Sequence, residues 1–514
     1  MQFDSTRRAV YRMTVSTRFS EVYLLCVGGI LLAMCGCTGL TKTSTTTNPT
    51  GSIQKINHIV FMAQENRTLD SYFGKLPAYW AAHGYPSQTF DGLTAGATNP
   101  AYNGTPNPGT GVITAFHVAT ECIENLSPSW NESHVDWNMQ DPTSSTPMMN
   151  GFVYNAASFA IHSNEGGASP PYTDTQGLRA MGYYDDSDLN YYYFMASNFA
   201  TSDRWFAPAL DRTQINRMYL FAATSQGYAY PPGTDTADNA PLSAPTIFDE
   251  LQSAGISWKI YTSDDICATT PPPDAANHAP RGGKTADASS STGPCTYLTQ
   301  FAKYSSPNPL PTNVVPVSQY LTDVANGTLP SVAFIEAGYL SGRDEHPSSG
   351  TNVQAGASYV ESLINALMAS QSWKDSVFIL TYDEPGGLYD HVQPQPTVNP
   401  DGIAPIDLLP GDICSTPGGA NCNFNYTGYR LPLIVISPFT RKNYVSHTIA
   451  DYTAILKLIE TRFNLPALTK RDAAQIDMTE FFDFQNVPWA TPPNPPVQNT
   501  GGTCNAQVLG YPTP

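Results

Sequence analysis

Two apolar runs lead directly into carboxylates. "HIVFMAQENRTLDSYFG" delivers Glu65-Asn66, and "SVFILTYDEPGGLYDHV" delivers Asp383-Glu384 followed by Gly386-Gly387, a pair that lets backbone approach a ligand closely. In open α/β sheets ligands gather just beyond the carboxyl ends of the strands. Acids brought there from separate strands supply the oxygen donors that a hard or borderline divalent ion needs. Glu65, Asn66, Asp383 and Glu384 are therefore candidate metal ligands; the competing reading of each is a loop acid exposed to water at a strand end. Thr213, in "DRTQINRMYLFAATS", precedes a helical pattern that includes Met218, Tyr219 and Phe221. It falls near an N-cap, where Thr is favoured in any protein. The same geometry attracts phosphate, and a metal at that point would lower the hydroxyl pKa enough for nucleophilic attack. Thr213 is thus both a candidate nucleophile and a metal contact, with Asn216 or Arg217 placed to hold non-bridging oxygens. His346, in the loop "SGRDEHPSSG", could donate a proton or hydrogen bond to phosphate or to a leaving oxygen, or be a solvated bystander. His391, in "YDHV", is a candidate substrate contact that Asp390 could orient, with a structural role equally open.

The elements that must position these residues alternate along the chain. His58 to Gln64, Ser257 to Thr262, Ser331 to Ala337, Ser376 to Tyr382 and Leu431 to Ser437 are continuous apolar runs, suited to strands covered on both faces of a parallel sheet. Between them, "PTIFDELQSAG" places Ile247, Phe248 and Leu251 on one helical face and stops at Gly255. "YVESLINALMAS" aligns Val360, Leu363, Ile364 and Leu367 in the same way, and Tyr452 to Phe463 forms a third helix. The alternation predicts a three-layer α/β fold around a mostly parallel sheet. Residues 75–175 and 263–318, rich in Pro, Gly, Ser, Thr and Asn, read as long loop insertions that form functional rims. No repeat and no break in composition requires a second folded domain after residue 53.

Composition narrows the classes of function. With 41% apolar residues, seven Trp and 29 Tyr, the chain can bury a large core. A formal charge of −18 and the lack of a basic block argue against nucleic acid as a partner. Arg7, Arg8 and Arg18 precede the apolar run Val22 to Met34, too short for an ordinary spanning helix and about the length of a signal-peptide core. Gly36 before Cys37 resembles a lipoprotein cleavage box. The expected organisation is a leader over 1–37, a Ser/Thr-rich tether over 38–52 and a catalytic domain over 53–514, with lipidated Cys37 as a membrane tether; a simple secretory signal or an uncleaved anchor are the alternatives. Six Cys follow the leader, an even number in a chain bound for an oxidising compartment. Of the fifteen pairings open to six Cys, proximity suggests Cys267–Cys295 and Cys414–Cys422, leaving Cys122 with Cys504. No C-x-x-C or Cys/His cluster at zinc spacing is present.

The motifs "ENRTLDSYFG", "MGYY", "YYYFMASNFATSDRWF", "TQINRMY", "EHP", "TYDEPGGLYDHV" and "YRLPLIVISPF" occur in an order that resembles bacterial non-haemolytic phospholipases C and related acid phosphatases, from about Ile56 to Phe484. The resemblance implies an alkaline-phosphatase-like core, with Glu65, Asn66, Asp383 and Glu384 around a metal-containing phosphate site. It places Thr213 as nucleophile and His346 at the phosphate, with a phospho-threonine intermediate. A phospholipid or a small phosphoester is the implied substrate. Two departures stand out: Ile215 replaces the family's Pro in the stretch after Thr213, and Pro128 stands where a His usually precedes Ser-Trp, although His134 remains. The lost His bears on substrate preference or on one metal contact. The accessory C-terminal domains of many larger phospholipases C have no counterpart after "FFDF". The contrasting reading is a surface lipoprotein that binds phosphorylated ligands without turnover.

Overall fold

A computed structural model describes residues 52–232, 240–264, 294–347, 351–416 and 418–512. The expected leader, most of the tether and Cys267 lie outside the described residues. The described residues all fall in one unit, Asn48–Pro514.

The longest apolar runs become the middle of an eight-stranded sheet. Its strands in chain order are β1 (His58–Gln64), β2 (Ala200–Ser202), β3 (Trp258–Thr262), β4 (Val314–Pro316), β5 (Val332–Ile335), β6 (Ser376–Tyr382), β7 (Leu433–Ile436) and β8 (Tyr444–Ser446). Their spatial order is β8-β2-β7-β6-β1-β5-β3-β4. β1 runs parallel to both β6 and β5, and β5, β3 and β4 continue parallel. β7 is the exception: it pairs antiparallel with β6 and with β2. The expectation of a mostly parallel sheet therefore holds, while the run at Leu431 to Ser437, read as another parallel strand, runs the other way.

Side chains on successive strand residues point to opposite faces, and the register shows what covers each. Phe334 pairs with Ile260, and Ile335 with Tyr261. On the Phe334 face lie Phe61, at a ring distance of 4.9 Å, and Phe221 of the Thr213–Ala222 helix at 5.0 Å. Trp258 shares that face and meets Phe248 of the Ile247–Ser253 helix at 5.0 Å. Tyr261 points the other way and meets Tyr320 of the Val317–Asn326 helix at 5.4 Å. The Val353–Met368 helix packs beside the Val317–Asn326 helix, and Ala454–Phe463 beside Thr213–Ala222. Helices thus cover both faces, giving the three-layer α/β architecture.

The segments read as loops are only partly so. Leu76–His83, Trp130–Trp137 and Phe152–Glu165 are helices within 75–175. Trp130–Trp137 ("WNESHVDW") buries polar residues as well as apolar ones, so it carries no apolar stripe for periodicity to detect. Two of its polar side chains are paired within the protein: Ser133 donates to the Pro128 carbonyl, and Asp136 accepts from Asn155. Cys122 is bonded to Cys504, and Cys414 to Cys422, two of the three expected pairs. No described helix is long and apolar enough to cross a membrane.

Candidate active site

β1 lies inside the sheet between its parallel neighbours β5 and β6, and ligands of such sheets gather beyond the carboxyl ends of the strands. Gln64 pairs with Tyr382, so Glu65 and Asp383 stand level, each one residue past its strand. The register therefore brings together the two acidic pairs that lie far apart in sequence. Asn66 follows in the left-handed region at φ 63°, a conformation that Asn tolerates better than most residues. Its N–H donates to Asp383 Oδ1 at 3.1 Å, and the Arg67 N–H donates to the Glu384 carbonyl. Gly386, at φ 70°, lies so close to Asn66 that a Cβ there would sit 2.7 Å from both the Asn66 Cβ and its carbonyl oxygen.

Thr213 is the first residue of its helix, with Arg212 in the cap position. It is 7% exposed, and its hydroxyl donates to Glu65 Oε2 at 3.3 Å. One turn on, Arg217 is fully buried. Its Nη2 reaches Glu65 Oε1 at 2.9 Å, its Nε reaches Asp383 Oδ2 at 3.3 Å, and Nη1 lies 3.9 Å from Glu336 Oε2. The guanidinium therefore holds the strand-end carboxylates, two of its nitrogens being taken up by Glu65 and Asp383. Asn216 is also turned away from the site: its amide clasps the preceding loop, donating to the Asp211 carbonyl at 2.6 Å and accepting from the Ala209 N–H at 3.0 Å. It fixes the turn that presents Thr213.

One cation does not balance this much buried negative charge. Burial raises Glu65 above the usual carboxylate range, although the Arg217 charge and the Thr213 hydrogen bond oppose it. Burial and the Glu65 charge push Asp383 up to about 7 against Arg217. Burial and Asp383 hold Glu384 well above its ordinary value. Arg217 stays above its own: burial opposes its charge, but Asp383 and Glu65 outweigh that.

Three buried oxygens in this region, Asn66 Oδ1, Glu384 Oε1 and Asp344 Oδ2, have no hydrogen-bond partner among the described residues. Unpaired buried acceptors are rare, and an unfilled ion site is one recognised explanation. The donors are hard oxygens, as a divalent ion prefers. The chemistry of Glu65, Asn66, Thr213, Asp383 and Glu384 thus fits a divalent cation. In this arrangement the acids are splayed around Arg217, and they are not among the described groups that bring three ligand atoms within 4.8 Å of one another.

His346 is partly exposed beside this cluster. Burial drives its pKa down to about 4, against the Asp383 charge and with the Arg67 charge. Its Nδ1 lies 3.0 Å from the Pro347 carbonyl. A carbonyl only accepts, so Nδ1 carries the hydrogen and Nε2 presents a lone pair. In this tautomer the neutral ring presents an acceptor at Nε2.

His391 has both ring nitrogens on carboxylates, Nδ1 to Asp70 at 2.7 Å and Nε2 to Asp91 at 3.0 Å. Asp390, expected to orient it, instead pairs with Arg430, which also bonds Asp70. The ring is part of an ion-pair network joining the segments that follow β1 and β6, and neither nitrogen is left for substrate.

Sequence reading passed over Asp344, Glu345 and Glu336. The Asp344 carbonyl accepts the Glu65 N–H. Glu345, at φ 69°, accepts from the phenols of Tyr72, Tyr192 and Tyr382 and from Gln64. This anchor fixes the loop that carries His346. Its only sequence signal is its place beside His346 in "DEHP". Glu336 ends an apolar run just as Glu65 and Asp383 do, and that signal was legible. His134, by contrast, belongs to the interior: both its nitrogens meet backbone carbonyls, of Trp130 and Asn421.

Residues 56–466 match the phosphoesterase family. Phospholipase C B of Mycobacterium tuberculosis is 32% identical over 480 residues, covering 87% of this chain and 81% of that protein. The non-hemolytic phospholipase C of Burkholderia pseudomallei is 27% identical, over 85% and 60%. The non-specific phospholipase C1 of Arabidopsis thaliana is 28% identical, over 84% and 72%. A solved Vibrio parahaemolyticus protein of the alkaline phosphatase superfamily aligns with 74% of this chain and 73% of its own at 12% identity and a TM-score of 0.30, a likeness too slight to carry an argument. The chain belongs to the phosphoesterase family and is a hydrolase acting on phosphate esters.

Two outcomes follow from this geometry. Gly386→Ala forces a Cβ against Asn66 at a positive φ, so it should cost about 1–3 kcal/mol in denaturant titration and lower kcat/KM more than tenfold. The second concerns His391. Burial disfavours its charged form, but the Asp70 hydrogen bond and charge lift it to about 9, from 6.5. A raised folded pKa gives stability that is complete below pH 6.5 and lost as pH rises through about 9. His391→Asn should flatten that limb of the stability–pH curve measured by urea unfolding; an unchanged limb would show the network contributes nothing.

Proposed function

We propose that this chain is an exported, metal-dependent phosphoesterase that cleaves phospholipids or small phosphoesters through a covalent phospho-threonine. The observation that carries the reading is Thr213: a hydroxyl at the first position of a buried helix, hydrogen-bonded to Glu65 at 3.3 Å at the rim of the carboxylate cluster. The helix N-terminus offers N–H groups and a positive dipole end to the phosphate. Glu65, Asn66, Asp383, Glu384 and the Thr213 hydroxyl are the proposed cation ligands. When bound, that ion supplies charge to offset the phosphate and the developing alkoxide.

The chain's own residues do the rest. The Thr213 hydroxyl points its hydrogen at Glu65, so the proton passes to that carboxylate as Oγ1 bonds to phosphorus, while the ester P–O bond breaks and the alcohol leaves with a proton from solvent. Water then attacks phosphorus as the Oγ1–P bond breaks; His346 Nε2 is the proposed acceptor for the water proton, Glu65 returns its proton to Oγ1, and phosphate or phosphomonoester departs. Asn216 holds the turn that presents Thr213, and Arg217 keeps Glu65 and Asp383 in register.

The relatives named phospholipase C favour a phospholipid substrate. Pro128, where the family resemblance implies a His, leaves head-group choice to the aromatic segments around the site. Export rests on the N-terminal leader pattern and on two disulfides, bonds that persist in oxidising compartments. Cys37 is the proposed lipidated residue of a membrane tether.

The test uses purified chain, stripped by chelator and reloaded with divalent metal, on p-nitrophenyl phosphate and p-nitrophenyl phosphorylcholine. Hydrolysis should vanish on stripping and return on reloading. Thr213→Ala should lose at least a thousandfold in kcat with an unchanged circular dichroism spectrum, and acid-quenched wild-type enzyme should carry phosphate on the Thr213 peptide. Normal turnover by the variant would remove Thr213 from the mechanism. Phosphate binding without hydrolysis by the reloaded wild type would favour a non-catalytic binding lipoprotein.

A further inference from the structure

A second constellation lies apart from the strand-end acids. Two short parallel strands, Phe116–His117 and Gly182–Tyr183, pair side by side and set His117 against the turn that follows Tyr183. His117 Nε2 is 2.8 Å from Asp188 Oδ2 and 3.8 Å from Asp185 Oδ1, and one donor atom from each residue falls within 4.8 Å of the others. The turn is stiff. Asp188 Oδ2 accepts the Asp185 N–H, while Asp185 Oδ1 accepts the N–H and hydroxyl of Ser187. These local bonds are ordinary turn chemistry and do not by themselves point to a ligand.

Glu121 does. It is 6% exposed, and its Oε2 has no hydrogen-bond partner among the described residues. Its carboxylate lies against Gly502, whose N–H donates to Gln354, and the Gln354 amide in turn donates to the Asp188 carbonyl; burial with the Asp188 charge pushes Glu121 up to about 7. A buried, unpaired carboxylate oxygen that feels a further acid is costly unless a cation offsets the charge. The only partner of opposite sign in this cluster is the His117 ring, which is 38% exposed along its side chain and so open to an entering ion.

The remaining test is steric. Ligand atoms about 2.1 Å from a tetrahedral ion are separated by ~3.4 Å, and the observed 2.8 and 3.8 Å separations straddle that value. The third separation, Asp185 to Asp188, also lies within 4.8 Å. One imidazole with carboxylates is a donor set for borderline divalent ions such as Zn²⁺ or Mn²⁺.

We propose that His117, Asp185 and Asp188, with Glu121 as the adjoining carboxylate, form a divalent-cation site separate from the catalytic centre. The site joins three stretches of chain. The Glu121 N–H bonds the Thr503 carbonyl, its carbonyl accepts from Val353, and the Asp188 carbonyl accepts from Gln354 and Gln498. With Cys122–Cys504 one residue away, a bound ion fastens the C-terminal segment to the domain.

The experiment counts metal in the full chain, stripped by chelator, equilibrated with Zn²⁺ and freed of excess by gel filtration. His117→Ala should hold one equivalent fewer than wild type and should lose the Zn²⁺-induced rise in Tm, while phosphoester hydrolysis stays within about twofold. Asp185→Asn, which keeps an acceptor oxygen for Ser187 while removing the charge, should lose the same equivalent. Equal zinc content in wild type and both variants would overturn the site and leave a plain His–Asp ion pair. Loss of hydrolysis together with the equivalent would assign that ion to the catalytic centre and would overturn the proposal equally.

Discussion

Three carboxylates, Glu65, Asp383 and Glu384, lie buried at the ends of two adjacent parallel strands, with a single guanidinium, Arg217, between Glu65 and Asp383. Like charges that close, withdrawn from water, drive each other toward protonation unless positive charge is added. Much of the surrounding structure answers this constraint. Arg217 enters from the helix that begins with Thr213, so the residue that partly balances the acids also fixes where the hydroxyl stands. Asn66 turns into the left-handed region to give its N–H to Asp383, and Gly386 leaves room for that turn. What Arg217 leaves unbalanced is the charge that a divalent ion would complete.

Around this centre, buried polar residues fix direction where apolar packing cannot. Glu345 draws three phenols and one amide onto its carboxylate and thereby seats Asp344 on one side and His346 on the other. Arg430 does the same work for the segments after β1 and β6, tying Asp70 to Asp390 and leaving His391 between Asp70 and Asp91. Both networks are closed, with their charged atoms paired inside the protein. The strand-end cluster differs from these two in keeping carboxylate oxygens, of Glu384 and Asp344, without a hydrogen-bond partner among the described residues.

β1 and β6 were legible because each is seven residues long, almost wholly apolar and followed at once by acids. Their pairing in register then placed Glu65 level with Asp383 without further information. β2 and β8 are three residues each, "ATS" and "YVS", too short to carry a periodic signal, and they exist because β7 and the chain beyond them supply partners. The polar helix Trp130–Trp137 has no stripe to read, since it packs on the Phe152–Glu165 helix through polar contacts such as Asn155 to Asp136. Residue type pointed to Asn216, Arg217, His346 and His391, but residue type does not show which way a side chain turns. Asn216 faces its own loop, Arg217 is taken up by Glu65 and Asp383, and His391 is held by acids from distant segments. Glu345 depends on a positive φ and on tyrosines more than a hundred residues apart, contacts that only the folded chain assembles.

The central claim is that the strand-end acids require a cation, and stability against pH tests it most directly. In metal-free protein, Asp383 titrates near 7 instead of near 3.8, so the folded form holds a proton that the unfolded form has released. Stability should therefore fall as pH rises from about 4 through about 7. Loaded with a divalent ion, the same acids are stabilised in their charged form, and urea midpoints measured across that range should no longer fall and should lie above the metal-free values at pH 7. Superimposable curves with and without metal would contradict the account.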